Sequence, residues 1–173
     1  PRIGWFDLAT LKEPYRREGK KTMGLELAGQ LGWDAPDWRV YPTGGGTGIV
    51  GMWKAFAEME SLGWTAGRRP RLVAAQAAGC APLVRAFEAG RETAEPWADP
   101  VTRAWGLRVP ASLGDFIILK AIRDSGGTAV AVEEREMMEA AARLARLEGI
   151  DACPEGGAAL AALRRLQARG LVG

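Results

Sequence analysis

Three consecutive glycines, Gly44-Gly45-Gly46, lead into Thr47-Gly48 between a short apolar stretch and an amphipathic one. Ahead of them, Trp38 to Pro42 reads as a buried strand. Behind them, Ile49, Met52, Trp53, Phe56 and Met59 fall on one face of a helix, with Lys54 and Glu58 on the wet face. The chain therefore predicts strand, glycine loop, helix. Without Cβ atoms an anion can approach the backbone closely. The following helix presents its unpaired N–H groups and the positive end of its dipole to that loop, and the Thr47 hydroxyl lies beside them. This is the composition of a phosphate cradle made by Gly44, Gly45, Gly46, Thr47 and Gly48. A tight, glycine-rich turn with no ligand is the plainer reading of the same residues.

The phosphate compound is narrowed by what surrounds the loop. Gly46 to Gly51 matches the dinucleotide pattern GxGxxG, which calls for an acidic residue at the end of the next strand. That strand, Arg71 to Gln76, ends in glutamine, and no Asp or Glu occurs between Ser61 and Phe87. Arg68, Arg69 and Arg71 could hold a ribose phosphate, but they stand at the start of the strand, the wrong end. The lysine-bearing phosphate loop GxxxxGK[ST] fails because Met52 follows Gly51.

With 173 residues, 47% hydrophobic and 25% charged, the chain is long enough for one domain with its own core. Lys plus Arg number 23 and Asp plus Glu 21, a net +2, so no nucleic-acid or membrane-binding surface is expected. No secretory signal is visible. Cys80 and Cys153, far apart in sequence, read as buried thiols of a cytoplasmic protein. There is no histidine. The commonest general base and metal ligand is thus missing; no metal site is expected, and an enzyme built on this chain needs another proton carrier, such as a lysine-bound cofactor.

Strands at 38–42, 71–76, 128–132 and 150–153 alternate with helices at 22–31, after the glycine loop, from Pro82 to Phe87, at 113–124, at 133–148 and from Pro154 onward. Short apolar strands alternating with helices predict an α/β fold: a three-layer, Rossmann-like parallel sheet with helices on both faces. In it, strand 38–42 is central and adjacent to 71–76, and ligands bind at the strands' carboxyl ends. Residues 1–19 read as irregular, broken at Pro14 and Gly19, with Trp5, Phe6 and Tyr15 packing on something. The 90–110 connection is long, and long loops in compact domains are often functional.

Several words of the chain resemble threonine synthase, a fold-type II pyridoxal phosphate enzyme related to the tryptophan synthase β subunit. They are Pro42 to Gly48, Gly51-Met52-Trp53-Lys54-Ala55-Phe56, Glu18 to Glu26, Gly79-Cys80-Ala81-Pro82, Gly106 to Pro110, and Pro154 to Ala159. Together they span nearly the whole chain in one order. The resemblance implies pyridoxal 5'-phosphate as cofactor, its phosphate in the Gly44–Gly48 loop. It implies conversion of O-phospho-L-homoserine and water to L-threonine and phosphate, in an enzyme expected to be a homodimer at full length. An NAD(P)-binding module and a related pyridoxal phosphate dehydratase or synthase are the alternatives.

Arg108, inside the Gly106–Pro110 word, is the candidate for an anionic substrate group, since a guanidinium grips phosphate with two hydrogen bonds. Glu155 either faces the ligand pocket or caps the last helix. None of the five lysines, Lys12, Lys20, Lys21, Lys54 and Lys120, stands in the word that carries the family's cofactor-binding amine. By resemblance, that lysine and the partner of the pyridine nitrogen lie outside residues 1–173. Residues 1–19 are then expected to return from an N-terminal domain, and 20–173 to form a large cofactor-phosphate domain, incomplete at its C-terminal side and inactive alone.

Overall fold

The computed structural model describes residues 4–65 and 69–172. Arg68 and the ends of the chain, Pro1 to Ile3 and Gly173, lie outside the described residues.

Three strands, β1 (Trp38–Pro42), β2 (Arg71–Ala77) and β3 (Thr128–Val132), form one sheet in the order β1-β2-β3. Both pairings are parallel, with Val40 opposite Val73 and Ala75 opposite Val130. Residues alternate along β2, so consecutive side chains feed opposite layers. Leu72 and Ala74 join a core with Ile49, Val50, Leu83, Ile118, Leu119 and Ile122. Val73, Ala75 and Ala77 join one with Met137, Ala140, Ala158, Ala162 and Leu166. The first core is closed by α2 (Thr47–Ser61), α3 (Pro82–Glu88) and α4 (Asp115–Asp124), the second by α5 (Glu134–Glu148) and α6 (Pro154–Ala168). The expected three-layer α/β arrangement is what the chain adopts.

Two details of the sheet differ from expectation. β2 is the middle strand and β1 an edge among the described residues. Apart from Arg71 and Gln76, β2 carries small and apolar side chains and is buried on both faces, whereas every residue of β1 is half-buried and Arg39 and Trp38 are bulky. The 150–153 segment is not a strand. Ile150 is 55% exposed, and the Ala152 N–H turns back to the Ile150 carbonyl at 3.0 Å. These residues are the connection that folds α6 against α5.

Helix α1 (Tyr15–Gln30) starts seven residues before Thr22, the expected position. The Glu13 carboxylate accepts the N–H groups of Tyr15 and Arg16 and starts the helix behind Pro14. Gly19 lies inside it, at a cost of about 1 kcal/mol relative to alanine. Packing on α2 outweighs this: Leu25, Leu27 and Ala28 meet Ala55, Phe56 and Met59, and one aliphatic side chain buried is worth about 1.5–3 kcal/mol. Lys21 bridges Glu18 of its own helix at 2.7 Å to Glu58 of α2 at 2.8 Å, and Lys54 also pairs with Glu18. Lys54, expected on a wet face, is thereby turned toward α1. Both helices stop at the same word, Leu31-Gly32-Trp33 and Leu62-Gly63-Trp64, and the two indoles meet edge-on at 5.5 Å. Upstream, Trp5, Phe6 and Tyr15 stay largely exposed; Phe6 and Tyr15 rest on each other, 6.2 Å between ring centres.

Candidate functional site

The glycine loop leaves the carboxyl end of β1. The Thr43 N–H still follows the strand ladder, donating to the Ala75 carbonyl at 2.8 Å, and the buried Thr43 hydroxyl donates to the Tyr41 carbonyl at 2.8 Å. The chain then turns through Gly44 and Gly45 to Gly46, whose φ of 77° is a left-handed conformation that glycine takes at no steric cost. Thr47 opens α2 with no side-chain cap. After Thr43, the next N–H along the chain to find an acceptor is that of Val50, on the Gly46 carbonyl at 3.1 Å. Among the described residues nothing accepts the N–H groups of Gly44 through Ile49, and the Thr47 hydroxyl has no hydrogen bond. Most backbone donors this close to a protein interior are paired, so a run of unpaired ones at a helix start is the chemistry of an anion site.

Side chains and backbone from four other places press on this loop. A Cβ on Gly44 would stand 2.1 Å from the Gly106 carbonyl oxygen, one on Gly45 2.8 Å from the Thr10 methyl, one on Gly46 2.0 Å from Ile118 Cδ1, and one on Gly48 2.2 Å from the Tyr41 hydroxyl. Ser112 donates its hydroxyl to the Gly45 carbonyl at 3.2 Å. Thr10, Ser112 and Ile118 were not legible as loop neighbours, because nothing local in a sequence marks a contact made between distant segments. Gly106 at least stands in one of the recognisable words.

The two substrate candidates gather around that same Gly106. The Gly106 N–H donates to the Glu155 carboxylate at 2.8 Å, so Glu155, in the first turn of α6, ties the 3₁₀ turn Trp105–Leu107 to that helix. Burial raises the Glu155 pKa, and the N–H groups of Gly106 and Glu155 with the Cys153 thiol lower it by more, leaving it below the usual glutamate value. Arg108, two residues on, is exposed and lays its guanidinium 4.1 Å from the centre of the Trp105 ring. Cys80 is buried, its thiol pushed up by burial; Cys153 is exposed at the start of α6, contrary to expectation. It sits in the connection that was expected to be a strand.

Four of the five lysines are engaged with carboxylates: Lys12 with Asp7, Lys21 and Lys54 with Glu18 and Glu58, and Lys120 with Asp124. Lys20 has no ion pair among the described residues; its Cβ packs against Gly51. Toward the end of β2, where a dinucleotide site needs a carboxylate, Gln76 is fully buried. Arg69 and Arg71 line a cleft of about 730 Å³ with Asp37, Trp38 and Leu163, at the amino ends of β1 and β2 and so away from the glycine loop.

A model of the pyridoxal-phosphate dependent enzyme family matches residues 2–173. The chain belongs to that family. It is similar to the threonine synthase of Methanosarcina acetivorans, 40% identical over 160 residues that make up 92% of this chain and 39% of the relative. It is also similar to that of Methanocaldococcus jannaschii, 36% identical over 92% of this chain and 39% of the relative. The chain thus spans about two fifths of the length of these curated relatives. Among solved structures, a T.th. threonine deaminase superposes with a TM-score of 0.70 at 27% identity, over 91% of this chain and 54% of that one. A fungal L-serine ammonia-lyase from Rhizomucor miehei superposes at 0.74 with 20% identity, over 90% of this chain and 46% of that one, a likeness of fold. The family's cofactor carries one phosphate ester, and the loop's unpaired N–H groups are the donors such a group requires.

Proposed function

We propose that this chain is the cofactor-phosphate part of a threonine synthase-like lyase, which converts O-phospho-L-homoserine and water to L-threonine and phosphate. The observation that carries this reading is the uncapped start of α2: a run of N–H groups from Gly44 to Ile49 without acceptors, in a chain of the pyridoxal-phosphate dependent family. In this reading the N–H groups of Gly44 to Gly48 and the Thr47 hydroxyl hold the cofactor's phosphate. The positive end of the α2 dipole adds to their attraction for a dianion. Bound there, pyridoxal 5'-phosphate supplies an electron sink for carbanions formed on an amino-acid substrate.

The chain's own residues supply binding and orientation. The Gly106 carbonyl packed on Gly44, and the Ser112 hydroxyl on the Gly45 carbonyl, fix the loop's path before the ligand arrives. Arg108 is assigned to an anionic group of the substrate and Glu155 to the placement of the 105–108 turn beside it. The amine that holds the cofactor and moves protons is assigned to a lysine outside residues 1–173, since four of the five here are engaged in ion pairs with carboxylates of this chain. The active protein is read as a homodimer acting on a small-molecule substrate. No described helix is long and apolar enough to cross a membrane.

A related dehydratase is the second reading, favoured by the superposition on threonine deaminase. Assaying the intact protein with O-phosphohomoserine and, separately, with threonine distinguishes the two. Phosphate release with threonine formed supports the synthase reading. Formation of 2-oxobutyrate from threonine, with no turnover of phosphohomoserine, overturns it in favour of the dehydratase.

A further inference from the structure

We infer that Gln76 is a positioning residue for the phosphate cradle, acting through the peptide that joins Thr43 to Gly44; this rests on reading the glycine loop as the cofactor-phosphate site. Gln76 stands one residue before the end of β2, with a side chain that is 0% exposed. Its Nε2 donates to the Thr43 carbonyl at 3.0 Å, and its Oε1 accepts the N–H groups of Leu83 at 2.9 Å and Val84 at 3.2 Å. A buried amide is tolerated in a core only when its polar atoms are engaged, and here both ends are.

The two ends tie different elements. The Oε1 end supplies α3 with the cap that Ala81 cannot, since no side chain caps that helix from its own sequence. The Nε2 end fixes the first peptide of the glycine loop. That peptide is trans, as are all described ones, so its N–H points opposite to its C=O. By drawing the Thr43 carbonyl toward α3, Gln76 turns the Gly44 N–H to the other side, at the head of the run of free donors. The Thr43 N–H takes no part in this, because it is already spent on the Ala75 carbonyl. A glutamine is required rather than an ionised acid: one end must donate to a carbonyl while the other accepts two N–H groups.

The test uses the intact protein and compares affinities for pyridoxal 5'-phosphate and for pyridoxal, which lacks the phosphate. Gln76→Glu keeps the shape and the two accepted bonds but, ionised, sets an oxygen against the Thr43 carbonyl. Protonated, it donates again. Losing that buried bond is expected to weaken pyridoxal 5'-phosphate about tenfold near pH 8 with pyridoxal affinity unchanged, and to recover toward wild type near pH 6 as the buried carboxyl takes up its proton. Gln76→Met, similar in length and apolar, is expected to show the same phosphate-specific loss with no recovery, and serves should the charged variant fail to fold. Wild type measured at each pH is the reference. If wild type prefers the phosphate form and both variants keep that preference undiminished, the inference is overturned and the cradle stands. If the variants lose both ligands together, Gln76 is merely structural and the inference is again overturned. If wild type itself binds pyridoxal as well as its phosphate, the cradle reading fails and this inference with it.

Discussion

The Gly106 carbonyl oxygen lies where a side chain on Gly44 would begin, 2.1 Å from the position of its Cβ. The obstacle is backbone, held in turn by Glu155, so it cannot rotate away as a side chain would. Gly44→Ala is therefore expected to destabilise the protein by about 1–3 kcal/mol, the range for overpacking a tight site, and to lower affinity for pyridoxal 5'-phosphate. Thermal unfolding and cofactor titration of the variant check both. Gly46→Ala meets a movable obstacle, Ile118 Cδ1, but at a φ of 77°. Trimming Ile118 to alanine alongside it removes both crowding atoms, Cδ1 and the Cγ1 that lies 2.6 Å from the added Cβ. Measured against Ile118→Ala alone, the double variant should show about 1–2 kcal/mol of destabilisation, the cost of a left-handed residue with a Cβ.

Glu155 links pH to the loop. Its folded pKa is lowered: burial works to raise it, and the Gly106 N–H, its own N–H and the Cys153 thiol outweigh burial. A depressed carboxylate contributes stability above its unfolded pKa, and that contribution is lost as pH falls through the folded one. Wild type should thus lose its advantage over Glu155→Ala in melting temperature on the acid side of the ordinary carboxylate range. Glu155→Gln, which keeps an acceptor for the Gly106 N–H, is expected to fall between the two at neutral pH.

A second acid effect is expected between α1 and α2. Hydrogen bonds from Lys21 and Lys54 hold the Glu18 carboxylate down to about 2, from 4.5 for the free side chain. The sign is the same: the contribution is complete above pH 4.5 and disappears as pH falls toward about 2. The melting-temperature gap between wild type and Glu18→Gln should be constant above that window and close within it. Because these charges are exposed, added salt should also shrink the gap at neutral pH. A gap insensitive to both would show that the network contributes nothing.

The alternation of strand and helix, the parallel sheet and the glycine loop were legible because each leaves a local mark: a run of apolar residues, a 3.6-residue stripe, a cluster without Cβ atoms. Strand order left none. β1 and β2 are both short and apolar, and only the count of faces each buries, a tertiary fact, makes β2 the middle one. Ile150 to Cys153 looked like a strand because four residues carry too little period to separate a strand from a connection. Pro14 and Gly19 read as breaks until the ion pairs to α2 showed what holds Gly19 in a helix. At the candidate site, the glycines at 44, 45, 46 and 48, with Thr47 between them, could be named from the sequence. The neighbours that require them to be glycine could not, since Gly106, Thr10 and Ile118 arrive from distant segments. Gln76 was visible only as the wrong residue for a dinucleotide site.

The assignment of the amine outside this chain has its own test. After incubation of the intact protein with pyridoxal 5'-phosphate and reduction with borohydride, peptide mapping should find Lys12, Lys20, Lys21, Lys54 and Lys120 labelled only sparsely. One lysine elsewhere should be labelled stoichiometrically. Stoichiometric labelling of one of the five, abolished by its change to alanine together with turnover, would place the amine within residues 1–173.

The central claim is that the start of α2 binds the cofactor's phosphate, and a crystal structure of the intact protein with pyridoxal 5'-phosphate tests it most directly. The account predicts phosphate oxygens within hydrogen-bonding distance of N–H groups in the run from Gly44 to Gly48, that of Gly44 among them, with the Thr47 hydroxyl as a further donor. An ordered cofactor whose phosphate lies elsewhere, with those N–H groups still without an acceptor, would contradict it.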